Sequence, residues 1–319
     1  MLTRFKEWRD ERWRNKHMRL GTDAPKPRGY RFFQVGFFTL LIAMGILLYA
    51  SYDYWVFRVL VTRHYIFTET LDELYDMHLW EENRTGLFRD FDRVMISVFT
   101  QELTALNQDR FTYLYAPQAH RAVREMDEYI ARRATVQALS PDTVYLWVPN
   151  VSPWSRQFVQ QHAAYLSGYR NLVLDLRYNY GGLLTDMRRL ADMFLPRGAV
   201  VSIEETRLRL TSRTVTSRGR PVFDFDQIII LQNRFTASAA EGLIMALEAH
   251  LPGLVTLGET TSGKGIGQIT WPLTGGYTVR ATTLLVKGPD GNSIHQTGLA
   301  AHMPGEGDWV AQALGVLGY

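Results

Sequence analysis

A chain of 319 residues with 46% hydrophobic residues can bury one large core or two smaller ones, so global disorder is not expected. The net charge is +3, but residues 1–31 carry ten Lys/Arg against four Asp/Glu, and the remainder is slightly acidic. A nucleic-acid partner is not expected, because such a binder would carry the positive charge on its folded domain. The chain has no cysteine, which excludes disulfides, thiolate nucleophiles and cysteine metal sites.

The first predicted element is a transmembrane helix over residues 32–56, preceded by a basic tail over residues 1–31. No residue from Phe32 to Ser51 is charged, and roughly 20 apolar residues suffice to cross a bilayer as a helix. The excess of Lys/Arg before the span predicts a single-pass signal anchor in the plasma or inner membrane, with a cytoplasmic N-terminus and an extracytoplasmic remainder. A cleaved signal peptide is the main competing interpretation, and a buried core helix is a second one. Leu48-Tyr49-Ala50 disfavours cleavage, because a large residue stands where a small one is needed.

Residues 57–135 are expected to be mainly helical. Apolar residues recur at three- and four-residue steps between residues 68 and 106, and a further amphipathic segment runs from Pro117 to Arg133.

Residues 136–319 show strand patterns that alternate with helix patterns. Strands are expected at 144–151, 171–177, 228–233 and 254–257, a hairpin within 201–222, helices at 155–169, 183–195 and 238–250, and further strands near the C-terminus. This alternation predicts an α/β fold with right-handed crossover connections.

The first candidate for chemistry is Ser238, which follows a predicted strand and opens a predicted helix. A hydroxyl at a helix N-terminus lies beside free N–H groups that can receive the oxyanion formed when it attacks a carbonyl. Ser-x-x-Glu is also a capping box, so Ser238 and Glu241 can have a purely structural role instead. Thr236, two residues earlier, is a second candidate for cap or nucleophile.

The second candidate is Lys264, which lies between Gly263 and Gly265 in a segment that returns to the sheet. Lysine acts as a base for serine only when it is neutral, which requires burial in apolar surroundings. An exposed loop lysine is the alternative. A phosphate-binding loop is excluded because Gly265 stands where that motif needs Ser or Thr.

A third candidate is the pair Gly181-Gly182, which follows the strand that ends near Asp175. Backbone N–H groups at such a turn can form half of an oxyanion hole, and glycine allows close approach of a substrate. The alternative is a helix-starting turn in which Asp175 and Arg177 pair structurally. The eight histidines and the pair Asp224 and Asp226 give no metal-ligand spacing, so neither a metal nor a cofactor is expected.

Four blocks of sequence occur together in this order: NLVLDLRYNYGG, FTASAAEG, LGETTSGKGIGQ and GPDGNSIHQTGL. In order and spacing they resemble the C-terminal processing peptidases, the tail-specific serine proteases. The resemblance implies a crotonase-like layered α/β catalytic domain over residues 136–319. It places the nucleophile at Ser238, the general base at Lys264, a lysine-orienting glutamine at Gln268, and the oxyanion hole at Ala239 with Gly181 or Gly182.

That family usually carries a PDZ domain before the strand that leads to the DLR motif. Here only about 25 residues, Gln118 to Asp142, occupy that interval, so we expect no PDZ domain. The resemblance implies a polypeptide substrate, and an adaptor protein or a second copy of the chain as possible partners. A non-catalytic scaffold with the same fold is the main alternative function, and a crotonase-like acyl-CoA enzyme is the third.

Overall fold

The computed structural model describes Glu11 and residues 30–67 and 89–319. The helices predicted between residues 68 and 88, and nearly all of the basic tail, lie outside the described residues. The chain divides into two compact units, Met1–Ser51 and Tyr52–Tyr319. The boundary expected at residue 136 stays a prediction.

The apolar N-terminal segment forms the long helix α1 (Tyr30–Val59), which continues as a π-helical turn over Leu60–His64. Within it, Phe32–His64 is 33 residues long, and its most apolar window has a mean hydropathy of 2.1 with no share buried. It is therefore long and apolar enough to cross a membrane, in agreement with the predicted span. A signal sequence near an N-terminus has the same properties, so the choice between anchor and cleaved signal stays open.

The following helices lie further along the chain: α2 (Arg89–Asn107), α3 (Pro117–Ala131), α4 (Pro153–Gln161), α5 (Ala163–Leu166), α6 (Leu184–Ala191), α7 (Ala239–Glu248) and α8 (Trp309–Val316). The strands are β1 (Tyr113–Tyr115), β2 (Thr135–Ala138), β3 (Thr143–Trp147), β4 (Asn171–Asp175), β5 (Val200–Thr206), β6 (Arg213–Thr216), β7 (Gln227–Gln232), β8 (Leu254–Gly258), β9 (Ile266–Pro272), β10 (Thr278–Lys287) and β11 (Met303–Pro304). Short 3₁₀ turns occupy Arg209–Thr211 and Thr274–Gly276.

A six-stranded sheet forms the centre of the molecule, in the order β11-β8-β7-β4-β3-β2. All its neighbouring strands are parallel except β2, which pairs antiparallel with β3. Side chains alternate between two apolar faces: Leu172 and Leu174 of β4 belong to one core cluster, whereas Val173 belongs to another that α8 covers. Because both faces of this parallel sheet are covered, its strands have nearly continuous apolar sequences, as in NLVLD of β4 and QIIILQ of β7. The α/β fold class is confirmed.

A second sheet has the order β1-β10-β5-β6, with β9 also paired to β10. Its pairs are antiparallel. The hairpin predicted within 201–222 is confirmed as β5 and β6. Strand β1, from the region expected to be mainly helical, joins this sheet through β10.

The last turns of α1, residues 52–59, belong to a core shared with this second sheet. Phe57 and Leu60 are fully buried and pack in a cluster with Leu273 and Val279. The buried carboxylate of Asp53 accepts hydrogen bonds from the backbone N–H and the hydroxyl of Thr274, at 2.8 and 2.7 Å. The end of α1 is therefore an integral part of the folded second unit.

Candidate active site

The carboxyl ends of β4, β7 and β8 lie at one edge of the parallel sheet. Parallel strands place their following loops together, which makes this edge the usual ligand site of such sheets. The loops here are residues 176–183, 233–238 and 259–265. These loops contain, in turn, the glycine pair, the serine and the lysine that were identified as candidates in the sequence. The fold therefore brings the three motifs together.

The serine turn is fixed by hydrogen bonds among its own residues. The Asn233 N–H donates to Thr236 Oγ1 at 3.0 Å, and the Thr236 N–H donates back to the Asn233 carbonyl at 2.8 Å. The Thr236 hydroxyl is fully buried and donates to the Leu176 carbonyl at 2.9 Å. Thr236 is thus a structural residue of the turn, and Ser238 is the partly exposed hydroxyl at its end.

Ser238 has a backbone conformation that side chains rarely adopt, with φ 59° and ψ −121°. It directly precedes α7, where N–H groups of the first turn have no helical acceptor. Such strained backbone persists where the surroundings enforce it, and it concentrates at functional sites. The strained position and the helix N-terminus coincide at this one residue.

Glu241 connects the serine turn to the lysine loop. Its carboxylate is fully buried and accepts the Ser238 N–H at 2.7 Å, which confirms the glutamate half of the predicted capping box. The same carboxylate accepts the Thr261 hydroxyl at 2.5 Å, the Gly263 N–H at 2.7 Å and the Lys264 N–H at 2.9 Å. The backbones of Ser238 and Lys264 therefore share one acceptor oxygen, Glu241 Oε2, although 26 positions separate them in sequence.

The glycine loop lies directly against the serine. A Cβ added to Gly181, whose φ is 92°, would lie 2.8 Å from both Ser238 Cβ and the Ala239 nitrogen. A Cβ on Gly182 would lie 1.9 Å from the Val151 carbonyl oxygen. Only glycine allows the backbone to come this close to its neighbours, which explains the two consecutive glycines at this position.

The amides around the serine differ in their availability. The Gly181 N–H donates to Asn179 Oδ1 at 2.9 Å and is not free for a ligand. Within residues 30–67 and 89–319, the N–H groups of Gly182 and Ala239 have no acceptor. Of the predicted oxyanion donors, Gly182 and Ala239 are therefore the available ones, while Gly181 contributes the close approach.

The Lys264 side chain is largely buried beneath an aromatic ring. Its Nζ lies 4.4 Å from the ring centroid of Phe111. The pKa of Lys264 is lowered to about 8, chiefly by burial. The positive charges of Arg280 and Arg110 also lower it, and the negative charges of Glu241 and Asp109 act in the opposite direction. This confirms a buried lysine over the alternative of an exposed loop lysine. No hydrogen bond joins Lys264 Nζ to the Ser238 hydroxyl in the described structure.

Phe111 is held in place by the turn around Asp109, whose buried carboxylate accepts the Phe111 N–H at 3.1 Å. That carboxylate also accepts the hydroxyls of Tyr65, Thr112 and Thr282, at 3.0, 2.5 and 3.0 Å. Thr282 lies on β10, so the turn is fastened to the second sheet. The residues that cover the lysine thus come from a segment more than 150 positions earlier in the chain.

Gln268, on β9, has its side-chain oxygen bound to Arg280 at 3.1 Å. Its Nε2 is buried and has no partner among the described residues. No hydrogen bond joins Gln268 to Lys264, so the role of Gln268 in orienting the lysine stays a prediction.

The remaining polar candidates have structural partners. Asp175 binds Arg177 at 2.5 Å and accepts the Tyr145 hydroxyl at 2.8 Å, so the structural pair expected as an alternative is present. Asp226 pairs with Arg170 at 2.6 Å on the surface. Across the part of the chain that the structure describes, no group of three or more His, Cys, Asp or Glu side chains could hold a metal ion.

Sequence reasoning missed three contributors: Glu241 as a bridge between loops, Asn179 as the partner of Gly181, and Phe111 as the cover of Lys264. The Ser-x-x-Glu spacing identifies Glu241, but it indicates only the bond to Ser238. Nothing local indicates the other two, because their partners lie on loops or strands remote in sequence.

Comparison with known proteins identifies the family of the chain. The model of peptidase family S41 matches residues 142–304. The probable CtpA-like serine protease of Staphylococcus epidermidis is 33% identical over 137 residues, which cover 43% of this chain and 28% of that protein. The corresponding protein of Staphylococcus haemolyticus is 34% identical over 140 residues. The chain thus matches about a quarter of the length of these curated relatives.

Two solved structures share the fold. A lipoprotein from Streptococcus agalactiae superposes with a TM-score of 0.65 at 17% identity, covering 84% of this chain and 96% of that one. The photosystem II D1 C-terminal processing protease superposes with a TM-score of 0.62 at 18% identity, covering 82% and 93%. The family match spans just over half of the chain and contains all three loops of the site, so this chain belongs to peptidase family S41.

Proposed function

We propose that this chain is a membrane-anchored serine endopeptidase that hydrolyses peptide bonds of extracytoplasmic proteins. The observation that carries the proposal is the Glu241 carboxylate, which accepts the backbone N–H groups of both Ser238 and Lys264. This shared acceptor holds the backbones of the two residues next to each other at the ligand edge of the sheet, which supports a reaction between the hydroxyl of one and the low-pKa amine of the other.

In the first step, the neutral amine of Lys264 takes the hydroxyl proton of Ser238 as the oxygen attacks the carbonyl carbon of the substrate. The carbonyl π electrons move to its oxygen, and the N–H groups of Gly182 and Ala239 stabilise that oxyanion. A pKa of about 8 leaves an appreciable neutral fraction of Lys264 near neutral pH.

In the second step, the C–N bond breaks and the Lys264 ammonium gives its proton to the leaving amine. An acyl ester on Ser238 remains. Water, deprotonated by the same lysine, then releases the second product and restores the serine. The base must approach the hydroxyl for both proton transfers, and catalytic hydrogen bonds often shorten only when substrate is bound.

Gln268 is proposed as a positioning residue for the lysine. The side-chain oxygen of Gln268 has two lone pairs, of which Arg280 uses one. The other would accept an N–H of Lys264, so that the lone pair of the amine stays free for the Ser238 proton.

The proposed substrate is an extended polypeptide segment. Among the described strands, β9 pairs with β10 alone, and it begins two residues after Lys264. An extended peptide can add to such an open edge through main-chain hydrogen bonds. The apolar N-terminal helix, preceded by basic residues, supports a single-pass anchor with a cytoplasmic N-terminus. An adaptor protein or a second copy of the chain would substitute for the expected missing PDZ domain.

A non-catalytic scaffold is the second candidate function. The absence of a hydrogen bond between the Ser238 hydroxyl and Lys264 Nζ, both within the described residues, favours it. The two candidates differ in one outcome, which is whether any peptide bond is cut.

The test is incubation of the full-length chain in detergent micelles with a disordered protein, followed by mass spectrometry of the products. Wild type should cut, and Ser238→Ala and Lys264→Ala should not. Ser167→Ala is the matched control, because its exposed hydroxyl donates to the Val222 carbonyl away from the sheet edge. Cleavage by Ser238→Ala at the wild-type rate would falsify the endopeptidase. No cleavage by wild type supports the scaffold.

A further inference from the structure

Two aromatic side chains beside the candidate site are exposed to solvent. Tyr178 is 64% exposed and Phe235 is 54% exposed. Their rings stack on each other, with centroids 5.5 Å apart and an angle of 16° between the planes. We refer to Tyr178 and Phe235 as the aromatic pair. Two large rings that stack but stay exposed leave apolar surface that folding has not buried.

The aromatic pair lies on the two loops that form the candidate site. Tyr178 is three residues before Gly181, and Phe235 is three residues before Ser238. The Asn233 side-chain oxygen accepts the N–H of both members, at 3.0 and 3.2 Å. Three residues of extended chain span at most about 10 Å. The rings are therefore within reach of side chains that flank a peptide bond held at Ser238.

The backbone of Tyr178 is strained, with φ 63°. Tyrosine rarely adopts this left-handed conformation, in which glycine or asparagine is usual. Neither burial of the ring nor a hydrogen bond of the phenol hydroxyl offsets the strain, because the described structure gives that hydroxyl no partner. Strained backbone of this kind concentrates at active sites and ligand contacts.

The cationic side chain beside the aromatic pair is neutralised by an ion pair. The Arg234 guanidinium lies 5.8 Å from the Phe235 ring centroid, and Arg234 is itself paired with Glu259 at 3.1 Å. Stacked rings beside a neutralised ion pair suit an apolar or aromatic side chain and disfavour a carboxylate, which would lose hydration without gaining a free cation.

We propose that the aromatic pair is a substrate subsite that binds a bulky apolar side chain within about three residues of the scissile bond. The inference rests on the proposed function, since it names the substrate class of that same site. It makes this chain selective for unfolded segments rich in Leu, Phe or Met over acidic or small-residue segments.

The experiment compares two peptides that differ at one position near the cleavage site, Leu in one and Asp in the other. The full-length chain in micelles should cleave the Leu peptide with a kcat/KM about 10- to 100-fold higher. In Phe235→Ala and Tyr178→Gly the ratio should fall at least fivefold. Glycine is chosen at position 178 because it tolerates positive φ. Tyr165→Ala is the control. The Tyr165 ring is also exposed, at 45%, and also packs on a neighbouring aromatic ring, that of Tyr169, but it lies on α5 and not on a loop of the candidate site.

An unchanged ratio in both aromatic variants, or no preference in wild type, overturns the subsite. Binding of the same peptides to full-length Ser238→Ala, read by fluorescence anisotropy, keeps the inference testable without turnover. If wild type cuts neither peptide but Ser238→Ala binds the Leu peptide more tightly, and the aromatic variants lose that preference, the endopeptidase is wrong and the subsite stands. If cleavage occurs and the ratio does not depend on the aromatic pair, the endopeptidase stands and the subsite is wrong.

Discussion

The serine turn and the lysine side chain are held by different means. Around Ser238, hydrogen bonds fix the backbone of both contributing loops, through Thr236, Asn179 and Glu241. The Lys264 amine has no hydrogen-bond or ion-pair partner among the described residues; the Phe111 ring packs over it, and nearby charged side chains act on it only at longer range. The proposed nucleophile is thus placed by directional contacts, whereas the pKa of the proposed base is set mainly by desolvation. Substitutions at the two groups should therefore fail in different ways.

The largest effect is expected at the base. Lys264→Arg keeps the positive charge but cannot become neutral near physiological pH. We expect cleavage to fall on the order of 10⁴-fold, comparable to the loss of a catalytic base elsewhere. In wild type the rate should rise about tenfold per pH unit below the Lys264 pKa of about 8 and then level off, because only the neutral amine accepts the proton.

A pH–rate series on both proteins measures this. Lys287→Ala is the control lysine, since Lys287 pairs with Glu205 on the second sheet. A Lys264→Arg protein within tenfold of wild type contradicts the assignment of the base.

The next effect is expected on the serine side. A methyl group at Gly181 would lie 2.5 Å from the Ala237 carbonyl oxygen and beside the Ala239 N–H. The methyl group of Gly181→Ala should block the Ala239 N–H, one of the two proposed oxyanion donors. We therefore expect kcat to fall about 10²- to 10³-fold, as when one such donor is removed. Gly198→Ala is the control that separates backbone strain from steric overlap. Gly198 also has a positive φ, of 91°, but an added Cβ there would have nothing within 4 Å. Equal losses in the two variants, measured by kcat and by the unfolding midpoint, would mean that backbone strain alone is responsible.

A smaller effect is expected at Glu241, whose carboxylate contacts both the serine turn and the lysine loop. Glu241→Gln loses acceptor capacity for the shared N–H groups, so we expect the rate to fall about 10- to 100-fold. It also removes a negative charge that raises the pKa of Lys264, so the midpoint of the pH–rate curve should move to lower pH.

The midpoint separates the two contributions of Glu241, because a purely structural role lowers the rate without moving it. Glu259→Gln is the control, since it breaks the exposed pair with Arg234. A midpoint that moves to higher pH in Glu241→Gln contradicts this account.

The smallest effect concerns stability. The pKa of Lys264 is lowered on folding from 10.5 to about 8, so between these values the unfolded chain binds more protons than the folded one. Wild-type stability should therefore rise with pH across that window. Lys264→Met should be more stable than wild type at pH 7, by about 1–3 kcal/mol, with a smaller advantage at pH 10. Thermal unfolding in micelles at both pH values tests this, and a less stable Lys264→Met at pH 7 contradicts it.

The sequence predicts the strands and helices around the site well, because each has its own period and its own turn residues. Residues 171–177, 228–233 and 238–250 all contain the predicted elements. The order of the serine and lysine motifs also predicts that their loops meet, since loops after parallel strands share an edge.

What the sequence does not predict depends on contacts between distant segments or on single rotamers. The Phe111 ring over Lys264 joins residues 153 positions apart. The hydrogen bond from the Gly181 N–H to Asn179 Oδ1 depends on the direction in which the Asn179 side chain points within its loop. The bond from Arg280 to Gln268 likewise depends on which of several neighbours a long side chain reaches.

The burial of Phe57 and Leu60 among Leu273 and Val279 sets a limit on where the second unit can be trimmed. A recombinant fragment that starts after His64 would expose the apolar underside of β9 and β10, the strands that follow Lys264 directly. A fragment that starts near Tyr52 would retain that support and the Asp53 carboxylate. Soluble material for crystallisation should therefore keep the last two turns of α1 and discard only what precedes them.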